Sequence, residues 1–270
     1  MLPTEIGDAA QDANRDRVMA WLDAGGSIND VDEDGYSLVN CCACGDREDS
    51  TFNSQHVALA RELIALGVDV NKATNDHGRY TPLHELTKNY RDRQAVLDML
   101  SLLLGAGANV NAREYAGKTP LYYAINALGH SQPALETGTG PSSEVRATMI
   151  TELLRAGASL DTCRATGDTA EDIIHRDETA EDTIRTVESY GSATLAENEH
   201  WCAIKRIVAG VRKHGSYKRY ARSFHRDVLA VRGLAQRGKL STSDPVLSFL
   251  ARRADNGVAW KILEYWRATN

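Results

Sequence analysis

Hydrophobic residues recur at intervals of three or four positions in four stretches of the chain. This spacing is the period of an α-helix that buries one face, because 3.6 residues complete each helical turn. The pattern therefore predicts four amphipathic helices, spread along the first 155 residues. They are Val18–Leu22, Val57–Leu66, Val96–Leu104 and Met149–Leu154.

Each of these helices is followed by the same short turn. The turns superpose without a gap at Ala24–Asn29, Leu66–Asn71, Ala106–Asn111 and Ala156–Asp161. The second residue of each is a glycine, which ends a helix in the left-handed conformation without a steric penalty. Thr-Pro-Leu follows two of the turns, with threonine as a helix cap and proline in the first helical turn. Each unit is therefore predicted to be a helix–turn–helix that stacks on its neighbours to bury its apolar face.

Three segments carry a resemblance to a known family. Thr81–His84, which reads Thr-Pro-Leu-His, and the turns Gly67–Asn71 and Gly107–Asn111 resemble the signatures of the ankyrin repeat. The resemblance implies an all-α ankyrin repeat solenoid with β-hairpin turns between repeats, followed by a small helical module. We expect the repeat domain over residues 1–190, with an N-terminal cap and about four irregular repeats, and a basic helical C-terminal module over residues 191–270.

The repeats are longer than is usual for that family. The turn glycines Gly25, Gly67, Gly107 and Gly157 stand 42, 40 and 50 residues apart, whereas the consensus period is about 33. Each unit therefore contains an insertion, and all three insertions are predicted between the first and second helix of a unit. They are Gly45–Gln55, Lys88–Arg93 and Gly129–Ser143.

Charge separates the two predicted domains. The whole chain carries a net charge of -6, but residues 1–199 hold 16 lysines and arginines against 33 aspartates and glutamates, while residues 200–270 hold 15 against 4. The counterpart of the basic part could be nucleic acid, an anionic surface, an acidic partner or the chain's own acidic half. A hydrophobic content of 42% and a charged content of 25% are typical of a folded globular chain.

Composition also bears on location. No stretch approaches the roughly 18 apolar residues of a membrane span, and the first residues lack the basic start and apolar run of a signal peptide. We therefore expect no membrane span and a monomeric, intracellular protein in the cytoplasm or nucleus. An odd set of five cysteines is expected to be reduced there.

Neither a catalytic nor a metal site is predicted. Cys41, Cys42 and Cys44 could be imagined with His56 as zinc ligands, but thiols inside the first helix of a unit are better explained by packing. His84 stands in the Thr-Pro-Leu-His segment, where the resemblance implies a structural hydrogen bond between units. We predict no cofactor.

The resemblance implies a non-catalytic scaffold or adaptor that binds a protein. Binding is expected at the hairpin tips and on the exposed face of the first helices, where packing does not dictate the residue. Tyrosine and arginine dominate these positions, and both are enriched where interfaces concentrate their energy. The candidates are Tyr36, Asn75, His77, Arg79, Tyr80, Arg113, Glu114, Tyr115, Tyr122, Tyr123 and Arg164.

The C-terminal module is expected to be a set of short helices. Trp201, Ile204, Val208 and Val211 recur at helical spacing and predict one buried face. The terminal segment 256–267 faintly resembles an F-box, although Asp255-Asn256 stands where that motif has Leu-Pro. The resemblance implies a substrate adaptor of a ubiquitin ligase. Trp260 lies off the apolar stripe of this helix and is a further candidate for binding a partner.

Basic residues are dense in the same module. Tyrosines and a phenylalanine are interleaved with them, which suits phosphate contacts combined with base stacking. Weak, sequence-independent binding of nucleic acid is therefore one interpretation, although no nucleic-acid motif accompanies the charges. A solvated face, or pairing with the acidic repeats, is the other. The candidate anion-binding residues are Lys205, Arg206, Arg212, Lys213, Lys218, Arg219, Arg222 and Arg226.

Overall fold

A computed structural model of the chain describes residues 1–45, 52–75, 78–88, 93–129, 143–161, 163–164, 177–190 and 198–223, together with residues 226 and 237. Most of this part is helical. The helices are α1 (Thr4–Gln11), α2 (Arg15–Asp23), α3 (Leu38–Cys44), α4 (Ser54–Ala65), α5 (Pro82–Lys88), α6 (Arg93–Gly105), α7 (Pro120–Gly129), α8 (Ser143–Arg155), α9 (Ala180–Tyr190) and α10 (Glu199–His214). Residues 217–223 are also helical.

The helices form two rows. In the first row α1, α3, α5, α7 and α9 each contact the next, and in the second row α4 contacts α6, which contacts α8. Within the units, α1 packs on α2, α3 on α4, α5 on α6 and α7 on α8. The predicted all-α solenoid is confirmed. Leu103 and Leu153 are both fully buried, as the repeated turns predicted.

The ends of the helices follow the predicted local chemistry. Gly25, Gly67, Gly107 and Gly157 all have positive φ angles, between 86° and 99°, and each follows a helix that it helps to end. Ser37 begins α3 in a capping box with Asn40, each side chain bonding the backbone N–H of the other.

The insertions lie where the sequence predicted them. They separate α3 from α4, α5 from α6 and α7 from α8, which are the two helices of one unit in each case. Most of each inserted segment lies outside the described residues, namely residues 46–51, 89–92 and 130–142.

Asparagines link successive turns. The side chain of Asn71 accepts a hydrogen bond from the backbone N–H of Asn109 at 2.7 Å and donates to the carbonyl of Gly107 at 3.2 Å. Asn111 makes the same two bonds to the next turn, with Ser159 N–H and the Gly157 carbonyl. These bonds fix one repeat against the next through backbone groups.

On two of the first helices, α3 and α5, one buried side chain connects the helix with the hairpin of the following unit. His84 Nε2 lies 3.2 Å from the carbonyl of Lys118, which confirms the hydrogen bond predicted for it between units. Asn40 holds the equivalent position on α3 and donates to the carbonyl of Tyr80 at 3.2 Å.

The cysteines of α3 are packed rather than exposed. Cys41 and Cys42 are fully buried, and their thiols are free. Burial raises the pKa of Cys41 well above its usual value and that of Cys42 to about 12. Burial of both side chains inside α3 agrees with the packing role that the sequence predicted.

The last described helices of the stack are α9 and α10. Trp201 is fully buried, and its Nε1–H donates to Glu188 Oε1 at 3.2 Å. Ile204, Val208 and Val211 are buried with it on the predicted face. Contacts divide the chain into Met1–Val208 and Ala209–Asn270, and the domain boundary predicted at residue 190 stays a prediction.

In the second unit Tyr220 is buried and lies beside Gly210. The predicted terminal helix, including Trp260, lies outside the described residues. Across the part of the chain that the structure describes, no helix has the length and apolar character needed to cross a membrane.

Candidate partner-binding surface

Three hairpins between repeats share one closing arrangement. In the first, Asp32 N–H donates to the Tyr36 carbonyl at 3.0 Å, and Tyr36 N–H donates back to the Asp32 carboxylate at 2.7 Å. Thr74 and Tyr80 repeat this pair of bonds in the second hairpin, with the threonine hydroxyl as acceptor. A side-chain oxygen therefore completes each hairpin at its base.

The third hairpin uses Glu114 in the same way, and this corrects a prediction. Glu114 was expected to be exposed for recognition, but its exposed fraction is only 7%. Its backbone N–H donates to the Lys118 carbonyl at 3.1 Å, and its carboxylate accepts from Lys118 N–H at 2.9 Å. Glu114 is therefore part of the hairpin framework.

The tips of the three hairpins are joined to each other. Asn75 N–H donates to the carbonyl of Asp34 at 2.8 Å, and Tyr115 N–H donates to the carbonyl of Gly78 at 2.9 Å. At Gly35, which has a φ of 83°, an added Cβ would lie 2.2 Å from the backbone nitrogen of Asn75. These bonds join the three tips through Asp34, Asn75, Gly78 and Tyr115, and we call the described residues of the three tips the tip row.

The other predicted tip residues lie on or beside this row. Asn75, Arg79, Arg113 and Tyr115 are exposed, with Tyr115 at 47%. Tyr36 is half-buried. His77 lies outside the described residues, and of Arg164 only the backbone, in the two-residue strand Cys163–Arg164 paired with Asp177–Glu178, is described.

Arg79 has an unusual backbone. Its φ is +50°, a left-handed conformation that costs a residue with a Cβ about 1 kcal/mol or more. The residue just before the closing position is left-handed in all three hairpins, and in the other two it is a glycine, Gly35 with a φ of 83° and Gly117 with a φ of 76°. An exposed arginine therefore occupies a position that would suit glycine.

Tyrosines cluster behind the tips. The rings of Tyr80 and Tyr123 meet edge to face with centroids 6.0 Å apart, and Tyr122 meets Tyr123 at 5.5 Å. Lys88 Nζ lies over Tyr80, 2.9 Å from the ring centroid, and 3.3 Å from the Glu85 carboxylate.

Tyr80, Tyr122 and Tyr123 are all half-buried, so each presents part of its surface to solvent. Burial, and then the hydrogen bond with Tyr80, raise the pKa of Tyr123 well above its usual range. Its hydroxyl is therefore protonated at all ordinary pH values and can donate a hydrogen bond.

The basic residues of the C-terminal part differ in their exposure and in their contacts. Lys205 is held by Glu188, with Nζ 2.6 Å from Oε1, and this ion pair lowers the pKa of Glu188. Lys205 is thus a contact of α10 with α9. The remaining candidates are exposed, namely Arg206, Arg212, Lys213, Lys218, Arg219, Arg222 and Arg226.

Comparison with known proteins agrees with the repeat geometry. Residues 79–115, from the tip of the second hairpin to the tip of the third, match the family model of the ankyrin repeat. This segment is an ankyrin repeat, as its resemblance predicted. The match covers the best-preserved unit, which contains α5, α6 and their turn.

Two relatives resemble parts of this chain. A probable E3 ubiquitin-protein ligase, XBOS33, of Oryza sativa subsp. japonica is 34% identical over 90 residues, which are 33% of this chain and 16% of the relative. Ankyrin repeat and SOCS box protein 16 of Mus musculus is 30% identical over 125 residues, which are 46% of this chain and 26% of the relative. The chain therefore spans only a minor part of the length of either relative.

Proposed function

We propose that this protein is a non-catalytic, intracellular adaptor that binds a protein partner through the tip row and the tyrosines of the first helices. The observation that carries the proposal is the hydrogen-bonded tip row, which presents Arg79, Arg113 and Tyr115 to solvent from a rigid backbone. Solenoids of stacked repeats offer extended surfaces of this kind for binding.

The geometry favours tight binding by this surface. Backbone hydrogen bonds between the tips order the surface before a partner arrives, so less conformational entropy is lost on association. Arginine and tyrosine side chains are also the commonest hot spots in protein interfaces. Tyr122 adds aromatic area next to the tips, because it stays half-buried in the free protein.

Affinity capture with matched variants tests the proposal. The full chain, a Tyr115→Ala/Tyr122→Ala variant and an Arg61→Ala variant are each used to capture proteins from extracts of the native cells. Arg61 is an exposed arginine on the second helix α4, away from the tips. A partner of the tip row is lost only with the tyrosine variant, while thermal unfolding midpoints show that all three proteins are folded. A full set of partners retained by the tyrosine variant contradicts the proposal.

A second candidate is an adaptor that brings its partner to a ubiquitin ligase. Two observations favour it: one relative is named an E3 ubiquitin-protein ligase and the other a SOCS box protein, and residues 256–267 resemble an F-box segment. The test measures ubiquitylation of a captured partner in cells that express the full chain or its Trp260→Ala variant. The adaptor role predicts that the variant still captures the partner but no longer promotes its ubiquitylation.

A third candidate is weak, sequence-independent nucleic-acid binding by the basic module. Residues 200–226 contain eight lysines and arginines and neither aspartate nor glutamate, which favours an anionic ligand. Titration of the full chain with a labelled duplex and a labelled single strand at two salt concentrations tests it, because release of counterions makes such binding fall steeply with salt. Absence of binding at low salt would remove this candidate.

A further inference from the structure

Among the residues that the structure describes, one face of the acidic repeat domain exposes only positive charge; Asp76 and His77 in its second hairpin lie outside them. This face comprises residues 71–75, 78–88 and 111–123, the second and third hairpins with the first helices that follow them, and we call it the basic tyrosine patch. Lys72, Arg79, Arg113 and Lys118 are exposed or half-exposed on it. The patch therefore differs sharply from residues 1–199 as a whole, in which acidic residues outnumber basic ones by 33 to 16.

The two acidic residues of the patch are turned inward. Glu85 is 4% exposed and pairs with Lys88, and Glu114 is 7% exposed and holds the third hairpin closed. Neither carboxylate is presented to a ligand at the surface. The buried Glu85 compensates the charge of Lys88, so the positive surface potential comes mainly from the other cations.

Tyrosines lie between the cations. Tyr80, Tyr122 and Tyr123 are half-buried and Tyr115 is exposed, and Lys118 Nζ lies 4.7 Å from the ring centroid of Tyr122. Ammonium and guanidinium groups bind carboxylates by charge-assisted hydrogen bonds, and the hydroxyls add neutral donors. We propose that the basic tyrosine patch binds a short acidic segment of the protein partner, a conclusion that rests on the proposed adaptor function.

The neighbouring hairpin sets a limit to the length of that segment. Glu33 and Asp34 are exposed at its tip, and the Asp34 carbonyl bonds to Asn75 within the tip row. A long polyanion such as nucleic acid would extend over these carboxylates and be repelled. Neighbouring helices pack about 8–10 Å apart, so two hairpins span about 20 Å, which an extended peptide covers with about six residues.

The test measures peptide affinity for the full chain by fluorescence anisotropy. The probes are a labelled peptide of six glutamates, the same peptide with glutamines, and a short single-stranded oligonucleotide. The glutamate peptide is expected to bind, with an affinity that falls as salt rises, and the glutamine peptide is not. Arg113→Glu should weaken binding of the glutamate peptide by about fivefold or more, and Arg113→Gln by less.

Two further variants make the result specific. Arg61→Glu places the same charge change on the second helix α4 and should leave the affinity unchanged. Glu33→Lys/Asp34→Lys removes the acidic boundary and should tighten binding of a longer glutamate peptide. Equal binding by the wild-type and Arg113→Glu proteins, with unfolding midpoints that show both are folded, would overturn the proposal. It would also be overturned if the oligonucleotide bound more tightly than the peptide and Arg113→Glu weakened that binding, because the patch would then prefer nucleic acid.

This test is separate from the test of the adaptor function. Loss of a captured partner with Tyr115→Ala/Tyr122→Ala, but full retention with Arg113→Glu, would leave the adaptor function standing and refute the acidic segment. Binding of the glutamate peptide without any partner that depends on the tyrosines would support the patch and contradict the adaptor function.

Discussion

Protonation of His84 should destabilise the repeat domain. This side chain is fully buried, and its Nδ1 accepts a hydrogen bond from Thr81 N–H at 3.2 Å. Its Nε2 therefore carries the proton that is donated to the Lys118 carbonyl. In a charged imidazolium Nδ1 also carries a proton. That proton would face the backbone N–H of Thr81, which donates to Nδ1 in the neutral form.

The expected size of the effect follows from the pKa of His84. Burial lowers it from 6.5 to about 4 in the folded protein. The unfolded chain therefore binds the proton more readily between these two values, and the stability contributed by His84 is present above pH 6.5 and is lost as the pH falls toward 4. Between pH 7 and pH 5 this linkage removes about 2 kcal/mol from the free energy of unfolding.

The assay compares the wild-type protein with His84→Gln by urea unfolding, followed by circular dichroism at several pH values. Glutamine can donate to the Lys118 carbonyl but does not titrate. We expect the variant to be less stable by about 1–2 kcal/mol at pH 7, because it fits the two hydrogen bonds less well. This difference in the free energy of unfolding should disappear as the pH falls to 5. A difference that stays constant from pH 7 to pH 5 would refute the lowered pKa of His84.

Three further substitutions test other parts of the fold. Trp201→Ala should lower the free energy of unfolding by about 3–5 kcal/mol, since it empties a fully buried site; a loss below about 1 kcal/mol would contradict the packing of α10 on α9. Gly35→Ala should be clearly more destabilising than Gly67→Ala in thermal unfolding, because the added Cβ meets the Asn75 backbone in the first case and open space in the second. Arg79→Gly should raise stability by up to about 1 kcal/mol by relieving its left-handed backbone, yet weaken binding of the glutamate peptide; unchanged binding would argue against a role for the side chain.

The sequence was most informative where the structure depends on local interactions. The turn glycines, the Thr-Pro-Leu helix starts and the burial of Cys41 and Cys42 follow from the conformational preferences of a few adjacent residues and from helical periodicity. His84 was predicted because it stands in a recognisable segment. Asn40 performs the same task in α3 but was missed, since the surrounding Ser-Leu-Val-Asn does not resemble Thr-Pro-Leu-His.

Interactions between residues distant in the sequence were harder to predict. Glu114 was assigned to the exposed tip because its role depends on Lys118 across the hairpin, and acidic residues at turns are usually solvated. Lys205 was grouped with the other cations of the basic module, although its partner Glu188 lies 17 residues away on another helix. The left-handed backbone of Arg79 can be predicted only when the three hairpins are aligned by their hydrogen bonds, because this alignment places Arg79 at the position of Gly35 and Gly117.

Site-specific photo-crosslinking tests the central claim most directly. A photoreactive amino acid is placed at position 115 on the tip row, or at position 61 on the second helix α4, and the full chain is illuminated in an extract of the native cells. We predict that position 115 forms a defined crosslink to a protein partner that position 61 does not form, and that excess glutamate peptide suppresses it. Identical crosslinks from both positions, or a crosslink at position 61 alone, would contradict binding through the tip row.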